Sequence, residues 1–176
     1  MTSDLIFVLA GLDDRKRYAL QLFQQRVAPK ILLSVSRFEI RRFANLGLPV
    51  PLNLLERASK IPPPQRHFFV LFEGQAVQVS YVKPKRFGTL LEIEALMRWL
   101  RKHPEIHSLV IVSSNSHLRR IRMCCKSLLS DSFEVRFIAV PEDPIRRWDS
   151  DFAKKSSVEI CKTAVYWLLL KSRQYT

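Results

Sequence analysis

Ser113, Ser114, His117 and Arg120 fall within one stretch of eight residues, directly after the apolar run Leu109-Val110-Ile111-Val112. Two hydroxyls, an imidazole and a guanidinium are the groups that recognise an anion and move a proton. In an open α/β sheet, polar residues at the C-terminal end of a buried strand face a ligand crevice. The first backbone N–H groups of the next helix add an anion site there, and Asn115 lies in the same turn. A histidine at a helix start feels the positive end of the dipole, so His117 is expected to be neutral and able to accept a proton. A capping or packing histidine is the alternative. Arg119 and Arg120 project about 100° apart on a helix, so at most one of them is expected to meet the ligand.

Other candidates come from the ends of neighbouring apolar runs. Gly11 follows Leu5–Ala10 and permits close backbone approach of a ligand, or serves as a plain turn glycine. Arg15 and Arg37 stand just beyond the first two strands, where a bound anion would sit. Ser34 and Ser36 end the second. Thr89 and Glu92 have capping-box spacing. If Glu92 turns toward the crevice instead, it can bind a hydroxyl or act as a general base, with His117 as the other acid–base candidate. His67, His103 and His107 have no partners at ligand spacing and are read as structural or exposed. The sequence contains neither the G-x-G-x-x-G fingerprint nor the G-x-x-x-x-G-K-[ST] loop. No Cys/His spacing implies a metal.

The elements that must position these residues alternate between strand and helix. Leu5–Ala10 and Lys30–Val35 are continuous apolar runs, as expected of strands buried on both faces. A helix capped by Asp13 or Asp14 lies between them, with Tyr18, Leu20, Leu22 and Phe23 on its apolar side. An amphipathic segment from Arg37 to about Asn45 and a short helix within Pro51–Ser59 follow. Pro62-Pro63-Pro64 reads as an internal loop. His67–Phe72 and Ala76–Val82 flank Glu73-Gly74-Gln75, a type II′ hairpin signal. A helix capped by Thr89, a strand at Ser108–Val112, a helix at His117–Leu129, a strand at Phe133–Val140 and a last helix at about Ser156–Lys171 complete the pattern. The expected fold is a single α/β domain over residues 1–176. It is Rossmann-like and doubly wound, with a mostly parallel sheet, helices on both faces and a β-hairpin near residues 67–82 at one edge. The ends of the first and fourth strands are expected to flank the crevice.

Composition narrows the partners. The chain of 176 residues carries a formal charge of +13. The excess is densest over residues 81–130, which hold ten basic and three acidic side chains. Anionic partners are implied, whether nucleic acid, an acidic lipid surface or a phosphorylated small molecule, with a solvated basic surface as the alternative. No apolar run approaches the roughly 20 residues that span a bilayer. The run at Leu5 follows Asp4 rather than a basic segment, so a signal peptide is not expected. Cys124, Cys125 and Cys161 are an odd set without metal spacing, read as buried small hydrophobes in a reducing, cytoplasmic setting.

The run Val112-Ser113-Ser114-Asn115-Ser116-His117-Leu118-Arg119-Arg120 resembles the strand–turn–helix signature of the YdcF/SanA-like family (domain of unknown function 218), roughly Val-Thr-Ser-x-x-His-Met-x-Arg. Ser113, Ser114, His117 and Arg120 take its motif positions. Arg15 with Leu22-Phe23 and Ala28-Pro29-Lys30-Ile31 looks like the family's first helix and second strand, and Thr89 with Glu92 looks like its Thr-x-x-Asn/Glu helix start. The resemblance implies a Rossmann-like fold with a nucleotide-type pocket, S-adenosylmethionine or another nucleotide being the cofactor class it brings. The chain departs from the family in three places. Gly11 stands alone where the family has a glycine-rich turn. Ser34-Val35-Ser36 precedes Arg37-Phe38-Glu39 where the family has Ser-Gly-Gly. Lys83, Lys85 and Arg86 replace an acidic residue. These departures imply a reshaped pocket and a more anionic ligand, or lost function.

Three functions follow. The first is a soluble domain binding a nucleotide-type or other anionic small molecule through Gly11, Arg15, Ser34, Ser36, Arg37, Thr89, Ser113, Ser114, Asn115 and Arg120. The second is a nucleic-acid-binding surface at Lys83, Lys85, Arg86, Arg98, Arg101 and Lys102. The third is a degenerate, non-catalytic protein-interaction module.

Overall fold

The computed structural model describes residues 3–83, 88–129 and 132–141, together with positions 162, 165 and 171. The loop expected after Pro141, most of the helix expected at about Ser156–Lys171, Cys161, Lys85 and Arg86 lie outside the described residues.

Leu5–Val8 forms β1, and every side chain of this short apolar strand is buried. Such complete burial requires a strand neighbour on each side and a layer on each face. Both are present. β1 pairs in parallel with β2 (Lys30–Ser36) and with β5 (Ser108–Ser113), and β5 pairs in parallel with β6 (Glu134–Ala139). β3 (His67–Glu73) and β4 (Ala76–Tyr81) form an antiparallel hairpin on the outer side of β2. The six-stranded order is β4-β3-β2-β1-β5-β6. The strand beside β1 at the crevice is therefore fifth in chain order, not fourth, because the hairpin contributes two strands before it. Gly74 has φ of 55° while Gln75 keeps negative φ, which fits the type II′ turn.

Five helices flank the sheet among the described residues. α1 (Asp13–Gln24), α2 (Ile40–Phe43) and α3 (Leu54–Ser59) cover the face that carries Ile6, Val8, Ile31, Leu33 and Val110. α4 (Gly88–Leu100) and α5 (Asn115–Leu128) cover the face that carries Leu5, Phe7, Leu32, Leu109 and Ile111. Phe7 meets Phe69 edge-on at 5.7 Å within that second core. The period-2 alternation of β1 thus feeds two cores at once, and the result is a Rossmann-like α/β fold with a mixed, mostly parallel sheet. No helix of the described residues is long and apolar enough to cross a membrane.

Local starts differ from the sequence reading at four helices, among them α5, which begins at Asn115 rather than His117 and so sets His117 inside its first turn. The residue before α1 is Leu12, which supplies no side-chain cap; Asp13 and Asp14 instead lie in the first turn, favourable for the helix dipole. The Arg37–Asn45 segment is helical only from Ile40, in α2 followed by a 3₁₀ turn at Ala44–Leu46. α4 starts at Gly88, so Thr89 lies inside its first turn rather than ahead of it.

Candidate functional site

β1, β2 and β5 all end at the same edge of the sheet, and each delivers polar residues there. Ser34 and Ser36 end β2; Ser113 ends β5; Ala10 and Gly11 form the turn after β1. Helices on both faces start at this edge. α1 brings Arg15 and Lys16, α4 brings Thr89 and Glu92, and α5 brings His117 and Arg120.

Arg15 links α1 to the start of α5 across this edge. Its Nη1 donates to His117 Nδ1 at 2.8 Å and its Nη2 donates to Ser114 Oγ at 2.9 Å. A guanidinium only donates, so Nδ1 is the unprotonated nitrogen and Nε2 carries the hydrogen. Nε2–H then donates to Thr89 Oγ1 at 3.2 Å, and Ser113 Oγ lies 3.1 Å from Nδ1. Burial, then the charges of Arg15 and Arg120, pushes the His117 pKa down to about 2. His117 is therefore neutral, as the helix-start argument expected, but burial is the larger cause. At so low a pKa it is a weak base in this arrangement.

Gly11 makes the Arg15 geometry possible. Its φ is 140°, and a Cβ there would come within 3.2 Å of Arg15 Nη1. The close approach at Gly11 is thus made by the chain's own guanidinium.

Glu92 turns toward the turn after β1. Its Oε2 accepts from Ala10 N–H at 2.9 Å, and its Oε1 lies 3.9 Å from His67 Nε2. Burial raises its pKa to about 8, against the lowering effects of the Ala10 N–H, Lys16 and Ser34. Ser34 Oγ sits 2.7 Å from His67 Nε2, and burial lowers the His67 pKa to about 4. A buried carboxyl titrating near neutrality is the strongest acid–base group in the cluster.

Glu39 is a second buried carboxylate here. Oε1 accepts from Gly11 N–H at 3.0 Å and pairs with Lys16 Nζ; Oε2 accepts from Ser36 N–H at 2.9 Å and Ser36 Oγ–H at 2.6 Å.

Of the sequence candidates, Gly11, Arg15, Ser34, Ser36, Thr89, Glu92, Ser113, Ser114, His117 and Arg120 lie at this edge. Arg120 is buried one turn beyond His117 and Arg119 is exposed, so one of the two arginines faces inward. Two candidates do not join the cluster. Arg37 is exposed and stacks over the exposed Phe38 ring at 4.5 Å. Asn115 is exposed at the first position of α5. Glu39, Lys16 and His67 were missed as members of this cluster; His67, expected to be structural or exposed, is buried against Ser34. Two carried a signal. Lys16 stands three and four residues before Ala19 and Leu20, on the buried stripe of α1. His67 alternates with Phe69 and Leu71 on one face of β3.

Gly11, Asn115 and Ser116 are exposed, and Arg15, Ser36 and Ser114 are half-buried, so this rim meets solvent. His117, at 6% exposure, and Glu92, at 5%, form the floor. Among the described residues, no group of three or more His, Cys, Asp or Glu is placed to hold a metal. No family model, curated protein or solved structure matches the chain.

Proposed function

We propose that the crevice binds a small anionic molecule of the nucleotide or sugar-phosphate class, at the end of β5 and the start of α5. One observation carries the reading: Arg15 docks its guanidinium on Ser114 and His117, beside a helix N-terminus that has no side-chain cap. A positive side chain next to exposed helix-start N–H groups is an anion site in both charge and geometry. The resemblance of Ser113–Arg120 to the YdcF/SanA-like signature supports the same pocket and adds S-adenosylmethionine to the candidate ligands. Glu92 is the residue to carry any proton transfer. Cys124 and Cys125 are buried thiols, pushed up to about 11 and about 12 by burial, and so take no part in the chemistry of the site.

The test is a thermal-shift screen of nucleotides, sugar phosphates and S-adenosylmethionine against the wild type, Arg15→Ala and Arg37→Ala. The reading expects a stabilising ligand whose effect disappears in Arg15→Ala and persists in Arg37→Ala. A ligand whose effect survives Arg15→Ala overturns it.

A second reading has its own observation. His117 is nearly enclosed, and both of its ring nitrogens are engaged. That favours a non-catalytic interaction module, in which the cluster holds the fold together. A screen without a single stabilising ligand would support it.

A further inference from the structure

We propose that Glu39 is a specificity-determining residue of this crevice: its carboxylate fills an anion cradle at the ends of β1 and β2, limiting the site to ligands with one anionic group. The inference rests on the reading of the α5 end as the primary anion site.

The cradle has four donors from three elements. Gly11 N–H comes from the turn after β1, Ser36 N–H and Oγ–H come from the end of β2, and Lys16 Nζ comes from α1. All four converge on one carboxylate. Backbone N–H groups converging with a lysine form the kind of concavity that holds phosphate oxygens. Here the anion is covalently part of the chain. Ser36 and Glu39 also close a backbone turn, Glu39 N–H to Ser36 C=O at 3.0 Å, which fixes the carboxylate over its donors.

The cradle adjoins the primary site at Gly11. The same residue donates its N–H to Glu39 and lies under Arg15 Nη1. The neighbouring amide, Ala10 N–H, is taken by Glu92. A ligand with one phosphoryl group on Arg15 and α5 would bring a second group against Glu39 and Glu92. The Glu39 carboxylate repels it, and with the Gly11 and Ala10 amides taken by Glu39 and Glu92 it is left no backbone donor in that turn.

The experiment compares inorganic phosphate and pyrophosphate by calorimetry on the wild type, Glu39→Ala and Arg15→Ala/Glu39→Ala. In the wild type, pyrophosphate should bind no more than about threefold tighter than phosphate, because its second group meets the filled cradle. Glu39→Ala should gain about tenfold for pyrophosphate, since the emptied donors are charge-assisted. Formate or phosphate should also restore part of the melting temperature that Glu39→Ala loses, and this rescue should survive in Arg15→Ala/Glu39→Ala. A wild-type preference for pyrophosphate of about tenfold or more overturns the proposal, whether or not Glu39→Ala folds. A folded Glu39→Ala without gain or rescue also overturns it. Wild type that binds neither anion removes the α5 reading instead, while the rescue still reports on the cradle.

Discussion

Arg15 controls the state of His117. By donating to Nδ1 it fixes the tautomer, and with burial it keeps the ring neutral. Loss of a charge-assisted hydrogen bond to a ligand costs about 1.5–3 kcal/mol, so Arg15→Ala should weaken binding by roughly ten- to a hundredfold. The buried titratable groups also predict a pH profile for stability. His117 and His67 titrate far below their ordinary value when folded, so the unfolded chain binds more protons between their folded pKa values and about 6.5. Stability therefore rises with pH up to that point. Glu92 acts the other way. Its folded pKa is about 8 against an ordinary 4.5, so the folded chain holds the extra proton and stability falls as pH rises through that window. Two histidines outweigh one carboxyl below about pH 6.5, and Glu92 acts alone above it, which puts the maximum near there. Melting temperature against pH should show this maximum, and Glu92→Gln should flatten the fall between about 6.5 and 8.

At the scale of elements, the turn after β1 and the start of α5 build the site together. Gly11→Ala would force a side chain into φ of 140° and against Arg15. It should cost about 1–3 kcal/mol of stability by denaturant unfolding and also reduce ligand binding by moving Arg15. Asn53 is a simpler case: its Oδ1 caps α3 by accepting from Leu55 N–H at 3.0 Å, and Asn53→Ala should cost about 1 kcal/mol with ligand binding unchanged. Strand identity was legible, because β1, β2 and β5 are short apolar runs ended by Gly or Ser. The hairpin was legible from Gly74. Helix starts were less so. Thr89 and Glu92 satisfy a local capping pattern, but their partners His117 and Ala10 are 28 and 82 residues away. Local spacing cannot encode such contacts. The roles of Glu39 and Lys16 were hidden for the same reason: their pairing spans 23 residues and exists only once α1 and α2 share a face of the sheet.

At the scale of the whole molecule, the sheet separates two kinds of positive charge. The crevice group, Arg15, Lys16 and Arg120, sits at the C-terminal edge of the parallel strands. Arg98, Arg101 and Lys102 are exposed at the far end of α4, roughly 15–20 Å of helix from Thr89. The net charge of +13 made anionic partners legible in the sequence but could not separate these two groups. Neutralising the α4 group (Arg98→Ala/Arg101→Ala/Lys102→Ala) should leave small-molecule binding unchanged and weaken retention on heparin. Persistent heparin binding with a steep salt dependence in that variant would place the polyanion surface elsewhere.

The most direct test of the anion site is calorimetric titration of a nucleoside monophosphate or sugar phosphate that stabilises the wild type into wild type and Arg15→Ala. Measurable binding to the wild type and at least about a tenfold loss in Arg15→Ala are expected. Equal affinity in the two proteins would contradict the assignment of Arg15 to the anion site.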